Sequence, residues 1–432
     1  MENSHRTKGL IRLTMACNER CPFCNVPVED YPSPTPAEDD TMRELDEFVR
    51  SGERTLTLSG GEPTLLRKRL LRVIAEARGR GVPHVELQTN AVLVTPAFAG
   101  ELAAAGLTSA FVSLLSHLPA EHDALAGLPG AFAPCLAGID ALLDAGVRVT
   151  LNPVVARSTQ ALLPDYIRFV LERLPRVRSV SLSAVQPHGR AAHDPTLLPD
   201  YDVLAPMVRE ARGLAEAGGL ELLNPYCGLP ACVGWADGLA RSVEAIEARD
   251  GGWRTTPGIE NRGDKTHGPD CARCVLRPVC GGAWRAYWET REGRGLVPPV
   301  EIVEPWTGDG AMQEVVRGFG ASPAAALLAA SAPTVWLWTD RLTDGEPDLP
   351  FTHLALEVEA ARPDAASVAR LVRLGNRRVH VGLRLGSAPV DLFALMRVLV
   401  ARGVHAITLL GAGDWERSLP PLRRAFPGVE LR

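Results

Sequence analysis

Cys17-Asn-Glu-Arg-Cys21-Pro-Phe-Cys24 sets three thiols within eight residues, in the spacing C-x3-C-x2-C. Thiolates are soft ligands that select zinc or iron–sulfur sites, and three on one loop can each hold a different iron of a single cubane. The fourth iron then keeps an open position, which is the mark of a catalytic rather than a structural metal site. A zinc knuckle, or three core cysteines, is the competing reading. Zinc asks for a fourth protein ligand nearby, and Asn25 to Tyr31 offer neither Cys nor His.

A second chemical signal is Ser59-Gly60-Gly61-Glu62-Pro63. Paired glycines let a ligand approach the backbone closely, while carbonyls and a carboxylate receive an ammonium group. Taken alone it is only a turn. A later group, Cys227, Cys232, Cys271, Cys274 and Cys280, ends in C-x2-C-x5-C, a spacing shared by zinc ribbons and iron–sulfur sites. Cys135 stands apart in an apolar helical pattern with Leu136, Ile139 and Leu143, as a buried core thiol does.

Nine cysteines in clusters, behind a polar Met1 to Lys8 that lacks the apolar core of a signal peptide, lead us to expect a cytoplasmic chain whose thiols bind metal. The apolar stretch Ala324 to Trp338 is broken by Ser331, Pro333 and Thr334, so no membrane span or membrane partner is expected. The charge of −5, from 51 acidic and 46 basic side chains, provides no positive field for nucleic acid. Only Lys8, Lys68 and Lys265 are lysines, a compositional bias given no functional weight. At 432 residues, 46% hydrophobic and 22% charged, the chain reads as a globular protein of two or three domains.

The elements that must position these residues follow from hydrophobic periodicity. Strands are expected at Leu10 to Met15, Arg54 to Leu58, His84 to Thr89, Ala110 to Leu115, Arg148 to Val155 and Ser179 to Val185. Helices alternate with them at Met42 to Arg50, Leu65 to Arg78, Pro96 to Ala105, Ala133 to Ala145 and Leu162 to Leu174. Such alternation implies a parallel sheet, and periodicity alone leaves an open doubly wound sheet and a barrel equally open. In either, ligands sit at the C-terminal strand ends, where the cysteine loop and the GGEP turn both fall. From about 220 to 305 the pattern gives way to a cysteine-rich segment that needs ligation for stability. A third block follows, with a helical linker Ala321 to Ala330 and strands at Val335 to Trp338, Leu354 to Val358, Val379 to Leu383 and Ile407 to Leu410. Its helices are expected at Ala365 to Leu374, Val390 to Ala401 and Trp415 to Phe426.

The C-x3-C-x2-C loop after strand one, with Phe23 before its last cysteine, followed by GGEP after strand two, resembles the radical S-adenosylmethionine (radical SAM) superfamily. The resemblance covers residues 8 to about 217. It implies a partial (β/α)6 TIM-like barrel over 1–218; the break in the pattern and the block beyond it add a small cysteine-rich iron–sulfur module over 219–305 and a C-terminal α/β domain over 306–432. It further implies that Cys17, Cys21 and Cys24 hold a 4Fe-4S cluster whose open iron chelates S-adenosylmethionine. Gly60, Gly61 and Glu62 would take the methionyl ammonium, with Gln88, Thr89 and Asn90 near the cofactor and Ser113 and Asn152 facing its ribose and carboxylate. Asn90 as a turn former and Ser113 as an ordinary strand residue are the plainer readings. Ser113 to Gly127 is similar to the SLDG…HD stretch of sulfatase-maturase-like relatives, departing where Ser116-His117 replaces Asp-Gly.

The second cysteine group resembles the SPASM and twitch extensions of the superfamily. Trp284 stands where a further SPASM cysteine would fall, and five cysteines cannot hold two clusters that need eight thiolates. One auxiliary 4Fe-4S cluster is expected, with the choice of four ligands among Cys227, Cys232, Cys271, Cys274 and Cys280 left open. The expected activity is that of an oxidoreductase or maturase: reductive cleavage of S-adenosylmethionine to a 5′-deoxyadenosyl radical that abstracts hydrogen from a peptide or protein. A small-molecule substrate is the alternative, and a flavodoxin or ferredoxin would be the reductase partner. No catalytic base is assigned; Arg157, Gln186 and His188 are candidates to face the cavity.

Overall fold

The computed structural model describes residues 8–249, 264–274, 276, 280–299, 301–308, 311–318, 334–339, 353–359, 378–384, 392–401, 404–410 and 419–431. The first strands are β1 (Lys8–Thr14), β2 (Thr55–Gly60), β3 (His84–Thr89), β4 (Ser109–Val112), β5 (Arg148–Leu151) and β6 (Val154–Val155). β7 (Ser179–Ser181), β8 (Ser183–Ala184) and β9 (Glu221–Leu223) complete the set. Between them run α1 (Glu38–Ser51), α2 (Arg67–Gly79), α3 (Pro96–Ala105), α4 (Pro119–Ala126), α5 (Phe132–Asp144), α6 (Leu163–Arg173) and α7 (Tyr201–Ala217).

β1-β2-β3-β4-β5-β7-β9 form one parallel seven-stranded sheet. Each new strand is added beside the last without reversal of order. A doubly wound sheet reverses at a switch point, so this winding is that of a barrel. Among the described residues β1 pairs only with β2 and β9 only with β7, which leaves the barrel partial, as expected. Side chains along β1 alternate between its two faces: Ile11 and Leu13 are buried with Leu45 and Phe48 of α1, while Lys8, Leu10 and Arg12 line an interior cavity.

Two expected strands differ in detail. Arg148 to Val155 breaks after Leu151 and Ser179 to Val185 breaks at Leu182; the pieces beyond each break, β6 and β8, pair with each other. The break at Asn152-Pro153 removes a ladder donor, which a continuous strand would need. β9 was not foreseen, and it carries the barrel sheet beyond residue 218.

The chain divides into two compact units, 1–235 with 240–268 and 279–297, and 236–239 with 269–278 and 298–432. The first therefore takes in much of the cysteine-rich segment, with α8 (Val243–Arg249), the antiparallel pair β10 (Lys265–Thr266) and β11 (Ala283–Trp284), and α9 (Arg285–Arg291). Its apolar side chains join the barrel core through α7. Trp235 is fully buried under the Arg212 guanidinium, and Tyr287 stacks on Tyr201 with ring centroids 3.9 Å apart.

The second unit carries a sheet of β12 (Glu301–Gly308), β13 (Ala311–Gly318), β14 (Thr334–Thr339), β15 (His353–Glu359), β16 (Arg378–Arg384), β17 (Val404–Leu410) and β18 (Glu430–Leu431), in that order. β12 and β13 are antiparallel and the rest parallel. The four expected strands are β14 to β17. β12 spans the expected boundary at 305, with Pro305 inside it. α10 (Leu392–Ala401) and α11 (Leu419–Ala425) match two expected helices. Ala321 to Ala330 and Ala365 to Leu374 lie outside the described residues. No described helix is long and apolar enough to cross a membrane.

Candidate functional site

The cysteine loop leaves β1 at Met15 and is held by three glycines from distant segments. A Cβ on Gly61 would lie 2.2 Å from the Ala16 carbonyl oxygen, one on Gly127 2.4 Å from that of Arg20, and one on Gly189 2.3 Å from that of Cys24. Gly60 meets the Thr14 oxygen at 2.0 Å in the same sense, at a φ of 133° that disfavours other residues. The paired glycines of the GGEP turn thus serve close approach to the loop's own backbone. The Gly61 and Glu62 amides donate to the Thr14 and Ala16 carbonyls at 2.6 and 2.8 Å.

Glu62 is fully buried and ties β2 to β3. Its Oε1 accepts from Thr64 N, Thr64 Oγ1 and Thr89 Oγ1 at 3.0, 2.6 and 2.8 Å, and its Oε2 accepts from the Asn90 amide at 2.8 Å. Burial raises its carboxyl pKa, and these four donors oppose that shift. The Asn90 side chain donates in turn to Asn18 of the cysteine loop at 2.8 Å. Ala91, the next residue, is held at a φ of 59°, a left-handed conformation that a residue with a Cβ adopts at a cost.

Arg190 closes the far side. Its backbone amide donates to the Cys24 carbonyl at 2.9 Å and its Nη1 to the Cys21 carbonyl at 3.0 Å, while Glu29 receives the guanidinium bidentately at 2.6 and 2.7 Å. The α4 end holds the loop from below through Arg20 N to Ala126 O, at 2.9 Å. The expectation for Ser113 to Gly127 thereby acquires a structural role: His122 accepts from the Leu115 amide and Gly127 abuts the loop.

Cys17, Cys21, Cys24, Gly60, Gly61 and Glu62 line one cavity of 160 Å³, together with Asn90 and Ser113. A larger cavity of 450 Å³ inside the barrel is lined by Cys21 and Cys24, and also by Asn152, Ser183, Gln186 and Cys227. Ser113 borders both. Ser183 Oγ donates to Asn152 Oδ1 at 2.6 Å and lies 3.2 Å from Cys227 Sγ.

Among the described residues no three Cys, His, Asp or Glu side chains converge on a single-ion position. The fit of these cysteines to a cluster rests on donor chemistry. Burial raises the thiols of Cys21 and Cys24 above the ordinary range, so thiolates there need a cation beside them. Backbone amides two residues ahead point at sulfur: Glu19 N to Cys17, Leu276 N to Cys274 and Gly282 N to Cys280, each at 3.4 Å. Such donors favour the thiolate, the form that binds metal. Cys135 is buried in α5, and its thiol is pushed up chiefly by burial among apolar neighbours, with the charges of Glu19 and Glu62 adding to the shift, as for a core residue. Cys227, Cys232 and Cys280 belong to the first unit and Cys271 and Cys274 to the second. All three of Cys271, Cys274 and Cys280 are buried.

Of the cavity-facing candidates, Gln186 is found there. Arg157 pairs with Asp200 at 2.8 Å, and His188 packs edge-on against Trp284, 5.1 Å between ring centroids. Sequence reading missed Arg190, Glu29 and Ser183. Gly189, directly ahead of Arg190, was the one local signal.

Residues 11–170 match the family described as the Radical SAM superfamily. An AdoMet-dependent heme synthase from Nitratidesulfovibrio vulgaris is 31% identical over 197 residues, 44% of this chain and 52% of the synthase. A GTP 3′,8-cyclase from a Synechococcus species is 31% identical over 325 residues, covering 70% of this chain and 76% of the cyclase. A PqqA peptide cyclase from Rhodopseudomonas palustris is 32% identical over 201 residues, 45% of this chain and 52% of the cyclase. The chain spans about half the length of the heme synthases and the peptide cyclase it matches.

Proposed function

Because the chain belongs to the radical SAM superfamily, we propose that it is a maturase-type enzyme that abstracts hydrogen from a peptide or protein held in the barrel cavity, assisted by an auxiliary 4Fe-4S cluster on its second cysteine group. The superfamily uses a 4Fe-4S cluster and S-adenosylmethionine, which together supply a 5′-deoxyadenosyl radical when bound. Cys17, Cys21 and Cys24 would hold that cluster. Both carboxylate oxygens of Glu62 already accept protein donors, three on Oε1 and one on Oε2, so the carboxylate anchors the turn to β3, and the backbone of Gly60-Gly61 would receive the methionyl ammonium. Asn90 braces the cysteine loop through Asn18, Ser113 stands where both cavities meet, and Asn152 is oriented by Ser183.

The observation that carries this reading is the single 450 Å³ cavity bordered by Cys21 and Cys24 and also by Cys227. That size suits a substrate side chain or small molecule buried next to the cofactor, shielded from water. The similarity to a peptide cyclase supports a peptide substrate. Oxidation or rearrangement of a small molecule is the second reading, favoured by the longer alignment with the GTP cyclase. Anaerobic reconstitution with S-adenosylmethionine and reductant tests the choice: short peptides encoded beside the gene should raise 5′-deoxyadenosine formation, and stimulation by GTP instead would favour the second reading.

A further inference from the structure

Lys265, one of three lysines in the chain, has a buried side chain. Its ammonium lies 2.6 Å from Glu244 Oε1 and donates to the Tyr226 carbonyl at 2.7 Å, with the Trp284 ring 5.0 Å beneath it. The other oxygen of Glu244 accepts from the Gly281 amide at 3.0 Å. The side chains are 4% and 6% exposed, and a charge pair this dry gains little stability against the cost of desolvation. What it does is join chain segments. Tyr226 precedes Cys227 and Gly281 follows Cys280, so one ion pair ties together the backbones that carry these two cysteines. A compact ammonium meets a carboxylate, a carbonyl and a ring face at once, a geometry that a planar guanidinium does not reproduce.

We propose that Lys265 and Glu244 are positioning residues that hold Cys227 and Cys280 at one site and place a fixed ion pair beside an auxiliary iron–sulfur cluster there. The proposal rests on the auxiliary-cluster reading given above. Net charge and hydrogen bonding around a cluster set its reduction potential, so the pair tunes that site as well as shaping it.

The test uses the anaerobically reconstituted full chain as wild type, Lys265→Met, Lys265→Arg and Glu244→Gln, read by iron and sulfide content and by electron paramagnetic resonance of the reduced protein. Wild type with about four irons per chain instead of about eight defeats the auxiliary-cluster reading itself. With about eight irons, Lys265→Met is expected to lose about half the iron and the second resonance. Lys265→Arg and Glu244→Gln should keep that resonance with a shifted midpoint potential, raised in Glu244→Gln, which keeps the lysine without its carboxylate partner. Should Lys265→Met fail to fold, these two variants decide. An unchanged second resonance and midpoint in every folded variant overturns the proposal.

Discussion

The Asn90 amide donates to Glu62 Oε2 at 2.8 Å, joining the end of β3 to the GGEP turn after β2. The bond makes a buried carboxylate the clasp between two strand ends, and through Asn90 Nδ2 it reaches Asn18 in the cysteine loop. Glu62→Gln would turn an amide donor toward one of four protein donors. The expected cost is about 1–3 kcal/mol of stability, read as a lower thermal midpoint of the apoprotein, together with weaker retention of iron. An unaltered midpoint would show that the clasp is not under load.

Gly189→Ala puts a methyl group against the Cys24 carbonyl, and Gly127→Ala does the same at Arg20. Both should reduce iron loading of the first cluster severalfold. Gly130→Ala is the control, because Gly130 also has a positive φ of 79° but open space around its Cβ position. Equal iron loss in the control would mean that backbone strain, and not contact with the loop, is responsible.

His122 is held neutral in the folded protein, its pKa lowered to about 4 by burial. The unfolded chain binds that proton from about 6.5 downward, so between these values it holds more protons than the native state and stability falls as the pH is lowered. Between about pH 7.5 and about pH 5 the expected loss from this group is about 2 kcal/mol. Denaturant melts of wild type and His122→Gln at the two pH values check it; the variant should show a shallower dependence.

Cys271→Ala combined with Cys274→Ala should remove about four irons per chain if an auxiliary cluster is present. Cleavage of S-adenosylmethionine, which needs only the first cluster, should persist while coupled substrate turnover is lost. Full turnover by the double variant would contradict an auxiliary role.

The parts of the site legible in the sequence are those written locally. The spacing of Cys17, Cys21 and Cys24, the GGEP turn and the strand-end placement of Asn90, Ser113 and Asn152 follow from short motifs and the period of β/α units. What escaped was written across the chain: Arg190 and Glu29 meet over 161 residues, and Ser183 reaches Cys227 over 44. No periodicity carries such pairings. β9 was hidden because three residues are too few for an alternating pattern, and Lys265 because a rare residue type looked like composition alone.

The central claim is tested most directly by measuring 5′-deoxyadenosine released from S-adenosylmethionine by the anaerobically reconstituted, reduced protein, beside a variant with Cys17, Cys21 and Cys24 all changed to Ala. The account predicts release by the wild type and none above background by the variant. Release by the variant at the wild-type rate would contradict it.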